Sequence, residues 1–386
     1  MVIVITGLIA LVFALLIYFS GGDQGLFWSI ITFLVPTLSA LITFFAIRRH
    51  KMVSTQYLGD YVLEVVHYEP WDELVEVEKT REVTKRDSYG ISHVETETYW
   101  VDEVQYHPDK YYILTYRNYY ESEEITDDIY EYVCELWEDV EEEREDAGHY
   151  YHTINGDKLS KTWNYDESTC IPVTRRKSIK NNVKASESLF NLKKITKKEA
   201  KKLELYDYPK LKYWSSSAYL PDQDCIIGMN VSDEIRYMYR VLNAVYGVSN
   251  KFRLYILVFE DKDIEISEMQ RSYWHNGNPQ ELVVCLGTHN GIVKWCNPFS
   301  WSDKPMLEGM VKKYFVEHPK LDLEAFHDYL TGSSSPITKY WVPKDFHDFD
   351  YLKVGVSPVV VFVLLAVTVV FCIAMWVISV KLGITV

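Results

Sequence analysis

Three stretches of this 386-residue chain lack charged side chains altogether: residues 1–22, 26–47 and 354–380, with Asp23 alone between the first two. A buried helix of a soluble protein rarely stays uncharged for twenty residues, whereas a hydrocarbon core of roughly 30 Å asks for about that many apolar ones. Membrane spans are therefore expected at 2–19, 26–47 and 356–380. The start also lacks the marks of a cleaved leader. Met1-Val2-Ile3 brings no base and Ser20-Gly21-Gly22 is a poor cleavage site, so an uncleaved anchor is expected.

Bases are missing from the 21–25 turn, while Arg48, Arg49 and Lys51 abut the end of the second span. Because Lys and Arg are held back on the cytoplasmic side, the turn is expected outside and these three bases inside. The reading is a multi-pass integral membrane protein, N-terminus in and C-terminus out, with the large domain in the cytoplasm. Cysteine is scarce. Cys134, Cys170, Cys225, Cys285 and Cys296 stand at no framework-like spacing and Cys372 lies in the last span, which suits reduced thiols.

Catalytic signatures are absent too: no GxSxG elbow, P-loop, glycine-rich dinucleotide fingerprint or HExxH. That removes the usual grounds for proposing an enzyme. The uncharged spans argue against a transporter, whose pathway ordinarily needs intramembrane ionisable groups.

What is present suggests an α+β soluble region between the spans. Alternating apolar residues over 61–66 and 74–83, about a Glu69-Pro70-Trp71-Asp72 turn, predict a hairpin. A Gly90 turn then leads to strands near 94–101 and 111–116, completing a small meander. Ile125, Ile129, Val133, Leu136 and Val140 recur at spacings of three and four, an amphipathic helix. Further on, Ser232 caps a helix that Gly247 is expected to close, 253–259 reads as a buried strand, and Asn290-Gly291 is a two-residue hairpin turn. The expected domains are a helical hairpin at 1–50, a β-rich part at 51–220, an α/β layered module at 221–352 and the last helix at 353–386.

Charge is strongly segregated. Residues 121–146 hold fourteen Asp or Glu against Arg144 alone, and 175–202 hold eleven Lys or Arg against Glu187 and Glu199. Such runs are ordinarily solvated faces. The functional alternative is that Arg175, Arg176, Lys177, Lys193, Lys194, Lys197 and Lys198 approach anionic lipid headgroups near the anchors. Nucleic acid is not expected, since the chain carries a net charge of −15 and the basic run lacks interleaved aromatics.

Glu260, Asp261 and Asp263 follow the carboxyl end of the 253–259 strand, where α/β sheets place ligands. With Asn276, Asn278 and His289 from adjoining loops they suit calcium or magnesium; the plainer reading is an acidic solvated turn with no cofactor. His149 and His152 have ligand-like spacing but no evident third ligand. A two-residue Asn290-Gly291 loop sets Cys285 opposite Cys296, read as two packed thiols.

The segments 270–278 (QRSYWHNGN) and 281–287 (ELVVCLG), followed by the Asn290-Gly291 hairpin, resemble the TPM module, an α/β domain found beside transmembrane helices. The resemblance covers roughly 232–315. It implies a cation-binding module and phosphatase-type hydrolysis, although Asn297-Pro298-Phe299-Ser300-Trp301 stands where the family carries a charged, glycine-rich run. The sequence alone favours a membrane-anchored interaction or structural protein that touches a protein partner or membrane lipid, with thirty tyrosines and eleven tryptophans available to core and contact face alike.

Overall fold

The computed structural model describes residues 2–20, 25–118, 120–136, 140–147, 156–163, 170–186, 195–209, 219–221 and 224–382. His149, His152, Lys193 and Lys194 fall outside them. The chain forms two compact units and passes between them at four places: Met1–Thr55, Ser178–Lys194 and Asp345–Val386 make one, Gln56–Lys177 and Ile195–Lys344 the other. The residues on either side of the expected boundary near 220 thus share a unit.

The first unit is a bundle of the helices Val2–Ser20, Gly25–Met52 and Pro358–Lys381. The second and third are long and apolar enough to cross a membrane; the apolar stretch of the first, Ile3–Phe19, is shorter. Small and hydroxyl-bearing residues make up most of the bundle interior: Thr6, Ala10 and Ala14; Gly25, Ser29, Thr32, Pro36 and Ala40; Thr368, Cys372 and Ser379, with Ile17 and Met375 the larger side chains among them. Such residues let apolar helices approach closely. Their hydroxyls are satisfied within their own helices, as where Thr32 Oγ1 donates to Trp28 O at 2.8 Å and Thr368 Oγ1 to Leu364 O at 2.9 Å. Large apolar side chains such as Leu8, Phe19, Phe27, Ile42, Phe362 and Val370 point outward. This inverts the soluble arrangement and suits a lipid solvent.

One end of that bundle is tied by the short helix Asn182–Ala185. Asn181 N–H donates to Met52 O at 2.6 Å, Asn182 Nδ2 to Phe349 O at 3.3 Å, and Lys180 pairs with Asp350 at 2.8 Å.

In the second unit the strand Val53–Tyr68, from Gln56 onward, is the spine of a sheet, paired antiparallel with Lys110–Thr115 and Lys158–Thr162 and paired also with the strand Pro172–Lys180. The helix Asp127–Leu136 contributes Ile129 and Val133 to a core with Val62, Val65, Ile113, Ile125, Ile171 and Val173. The meander expected from the sequence is corrected here. The Val53–Tyr68 strand does not pair with Trp71–Arg86; that strand pairs instead with Ser92–His107 across the Gly90 turn, as a two-stranded ribbon of its own. The end of the Val53–Tyr68 strand is taken up elsewhere: Tyr68 pairs with Lys110 and Lys158, and Glu69 N–H donates to Asp157 O at 2.9 Å.

The other sheet runs in the order Ile226–Ile227, Arg253–Glu260, Glu281–His289, Ile292–Ser300, its first three strands parallel and the last antiparallel. Leu254, Ile256, Leu257, Leu282, Val283 and Val284 are fully buried, under helices that bring Tyr239, Leu242, Leu307, Val311 and Phe326. A strand covered on both faces needs this unbroken apolar run. Gly247 does not end its helix: Asp233–Asn250 continues past it to Lys251, whose φ of 52° makes the cap. Its lack of a side chain serves another purpose. A Cβ there would meet Gly59 at 2.8 Å, and one on Gly59 would meet Asn243 O at 2.0 Å, so strand and helix touch backbone to backbone.

Beside this contact Asp60 is wholly buried, accepting from Tyr61 N–H at 2.9 Å and Arg117 N–H at 3.1 Å. Arg117 Nη2 in turn donates to Gly59 O at 3.3 Å and Gly247 O at 2.6 Å. Burial raises the Asp60 carboxyl, against the lowering influence of these donors.

Candidate functional site

The Arg253–Glu260 and Glu281–His289 strands run parallel in register, Glu260 opposite Thr288, so their carboxyl ends bring Glu260, Asp261 and His289 to one edge. One potential ligand atom from each lies within 4.8 Å of the others, and all three residues are exposed. The turn chemistry makes this possible. Asp261, Asn290 and Gly291 adopt φ of 53°, 51° and 75°, and the last two form the two-residue turn that asparagine and glycine favour. Glu260 accepts from Thr288 Oγ1 through one oxygen and from Asn290 N–H at 3.0 Å through the other. Asp261 Oδ1 and His289 Nδ1 are bonded to each other, and Asn290 Nδ2 meets His289 Nε2 at 3.0 Å.

Two carboxylates and an imidazole form a donor set for a divalent cation, His289 adding a nitrogen to the oxygens that calcium or magnesium prefers. The set is nonetheless self-satisfied, since a cation would have to displace the Asp261–His289 bond. Asp263 is not part of the group; its carbonyl accepts from Ile266 N–H at 3.1 Å, starting the Glu265–Tyr273 helix. Asn276 and Asn278 are buried; Asn276 Oδ1 accepts from Arg271 Nε at 2.6 Å, whereas Asn278 serves a different cluster.

That cluster surrounds Glu281, which sequence reasoning passed over. Glu281 is 1% exposed at the amino end of its strand, opposite Arg253, also 1% exposed. Its carboxylate accepts from Tyr208 OH, from Asn278 Nδ2 at 2.9 Å and from Asn278 N–H at 2.8 Å. Arg253 donates from Nε to Tyr255 OH at 2.8 Å and from Nη1 to Thr174 Oγ1 at 3.3 Å. Burial raises the Glu281 carboxyl above the usual range, opposed by the Tyr208 and Asn278 hydrogen bonds and the Arg253 charge. The loop it anchors has three consecutive left-handed residues, His275, Asn276 and Gly277, at φ of 53°, 66° and 73°. The signal in the sequence was a charged residue opening each of two otherwise apolar strands.

The two thiols are not opposite one another. The ladder pairs Cys285 with Asn297 and Leu286 with Cys296, because the register shifts between Gly287 and Thr288. Val293 pairs with Thr288 and Trp295 with Gly287, so Lys294 is the extra residue of a bulge. The bulge sets the Trp295 ring against Gly287, where a Cβ would lie 2.0 Å from the indole. Burial pushes the Cys285 thiol well above its usual range and that of Cys296 up to about 12, which keeps both protonated and unreactive at neutral pH.

Of the basic run, Arg175, Arg176 and Lys177 lie on the Pro172–Lys180 strand, where Arg175 Nη2 pairs with Glu123 at 2.7 Å. Lys197 and Lys198 open the Lys197–Lys202 helix, whose Thr196–Glu199 capping box is formed. Arg48, Arg49 and Lys51 occupy the end of the Gly25–Met52 helix, and Lys51 Nζ lies 3.5 Å from Gly355 O. Comparison of the chain with protein-family models, with curated proteins and with solved structures found no match.

Proposed function

We propose that the protein is a membrane-anchored interaction protein, its second unit held at the cytoplasmic surface by three spans and presented there to a protein partner or to the membrane itself. The observation that carries the reading is the inside-out first unit, with mostly small and hydroxyl-bearing residues within and many large apolar ones outside. The Val2–Ser20 helix supplies the third span in this reading, since it packs against the other two. Arg48, Arg49, Lys51, Lys180 and Lys184 belong to the same unit, and bases beside apolar helices favour an anionic cytoplasmic leaflet. Topology is tested at the Gly90 turn, where Tyr89 is 89% exposed. A Tyr89→Cys variant is expected to resist a membrane-impermeant maleimide in intact cells and to react after lysis; labelling in intact cells overturns the cytoplasmic placement.

A second reading is favoured by the convergence of Glu260, Asp261 and His289: a divalent-cation-binding, TPM-like module, with phosphatase-type hydrolysis as its enzymatic form. Calcium or magnesium added to the full chain in detergent micelles then raises the melting temperature, and Asp261→Asn abolishes the rise. An unmoved melting temperature removes this reading and leaves the first.

A further inference from the structure

In the Trp71–Arg86 and Ser92–His107 ribbon every opposed pair joins residues of like parity, from Trp71 with His107 to Arg86 with Ser92, without a bulge. Side chains alternate along a strand, so the ribbon has an odd-numbered face and an even-numbered one. The odd face neutralises itself. Lys79 pairs with Glu103, Arg81 with Glu97 at 2.9 Å, Lys85 with Glu95 at 2.9 Å and His107 with Glu73 at 2.7 Å, while Arg81 also lies over the Tyr99 ring.

The even face is the reverse. Every residue on it is exposed, and its carboxylates Asp72, Glu76, Glu78, Glu82 and Asp102 have no ion-pair partner among the described residues, with Arg86 their one basic companion on the face. Glu76 stands directly opposite Asp102, a like-charge pairing that weakens a ladder. Around those two carboxylates lie Trp100, Val104, Tyr106 and Leu74, exposed by 63, 66, 62 and 40%. No third strand covers them among the described residues. An apolar stripe kept in water, flanked by opposed acids that repel each other, is a surface completed by a cationic and partly apolar occupant.

We propose that the even-numbered face docks a basic segment of a partner protein. Its Lys or Arg side chains enter between Glu76 and Asp102 and beside Glu78, and its apolar side chains cover Leu74, Trp100 and Val104. This deepens, and rests on, the interaction reading above. The Trp100 ring adds a platform for a guanidinium. Anionic lipid and nucleic acid are disfavoured by the same five carboxylates, and the identical face of a second copy brings only more of them.

Adjacent positions on opposite faces provide the test. A photo-crosslinking phenylalanine analogue at Val104 in the full chain, in its native membrane, is expected to give one protein adduct whose crosslinked peptide is rich in Lys or Arg; at Gln105, on the odd face, it gives none. Glu76→Gln with Asp102→Asn relieves the opposed charges, so this variant keeps its fold, and it is expected to lower the Val104 adduct about tenfold. Equal adducts at both positions, a lipid adduct, an adduct at twice the chain's own mass, or indifference to the double substitution overturns the proposal. The same probe at Lys177 separates the two levels of inference: an adduct there with none at Val104 removes this surface and leaves the interaction reading, and silence at both positions removes both.

Discussion

Two β structures in the same unit follow opposite rules. The Arg253–Glu260 and Glu281–His289 strands are covered on both faces, and their sequences are near-continuous Leu, Ile, Val and Phe. The Trp71–His107 ribbon, sixteen residues per strand, carries charged, polar and apolar residues on both of its faces and is largely exposed. A two-stranded ribbon is marginal in water by itself, so cross-strand ion pairs sustain one of its faces. Stability is concentrated in the covered sheet. The ribbon is where surface is left over for contact.

The comparison breaks most visibly if a core residue proves as expendable as a ribbon one. Ile256 is fully buried between Ile226 and Val284 in the ladder. Ile256→Ala is expected to cost about 3–4 kcal/mol in urea unfolding of the full chain in detergent, through lost burial and the cavity left behind. Val104→Ala is expected to change stability by less than about 0.5 kcal/mol. Similar costs would mean that the ribbon is covered by part of this chain.

How much of this was legible in the sequence follows from how local each signal is. The covered 253–259 strand, the Ser232 cap and the Asn290-Gly291 turn were readable, since each depends on a few neighbouring residues. Pairing was less so. The sequence places strands near 61–66 and 74–83, but the first finds its partners in distant parts of the chain, at residues such as Tyr112, Thr115 and Ser160, and the second pairs across the Gly90 turn with Ser92–His107. The Lys294 bulge, which moves Cys296 from Cys285 to Leu286, leaves no local mark. At the candidate site Glu260 and Asp261 were found from their place after a strand. His289 joins them through a parallel register, and Asp263 departs into a helix start. The Glu281 cluster left only a charged residue at the head of each strand as its mark, because Tyr208 reaches Glu281, and Thr174 reaches Arg253, only in three dimensions.

That cluster sharpens the comparison through pH. The Glu281 carboxyl is raised by burial from its ordinary 4.5, so the folded state holds this proton to higher pH than the unfolded chain does. Stability from this group is therefore fully present below pH 4.5 and declines as pH rises through the folded value. Asp60, raised for the same reason, acts in the same direction. Glu281→Gln is expected to reduce the loss of unfolding free energy above pH 4.5, measured by urea titration at successive pH values. An unchanged slope would assign the dependence to Asp60. On the ribbon Glu95 is exposed instead, and, held down by its hydrogen bonds to Lys85 and His93, it contributes with the opposite sign, its stability being lost as pH falls.

The smallest effect separates the ribbon's own faces. On the even face Glu76 opposes Asp102, whereas on the odd face Arg81 opposes Glu97 with a hydrogen bond of 2.9 Å. Opposed like charges weaken a ladder and unlike ones support it, by roughly 0.2–1 kcal/mol either way. Glu76→Gln with Asp102→Asn is therefore expected to slow amide hydrogen exchange of the neighbouring ribbon residues about twofold, and Arg81→Gln to quicken it by a similar factor. Exchange is the suitable readout because the ribbon is a sheet of its own, and a two-stranded, exposed ladder is the kind that opens locally. Shifts of the same sign would show that the two faces are not electrostatically distinct. Opposite shifts in the isolated protein would show that the even face holds its repulsion at a cost to the ribbon, which a basic partner then relieves.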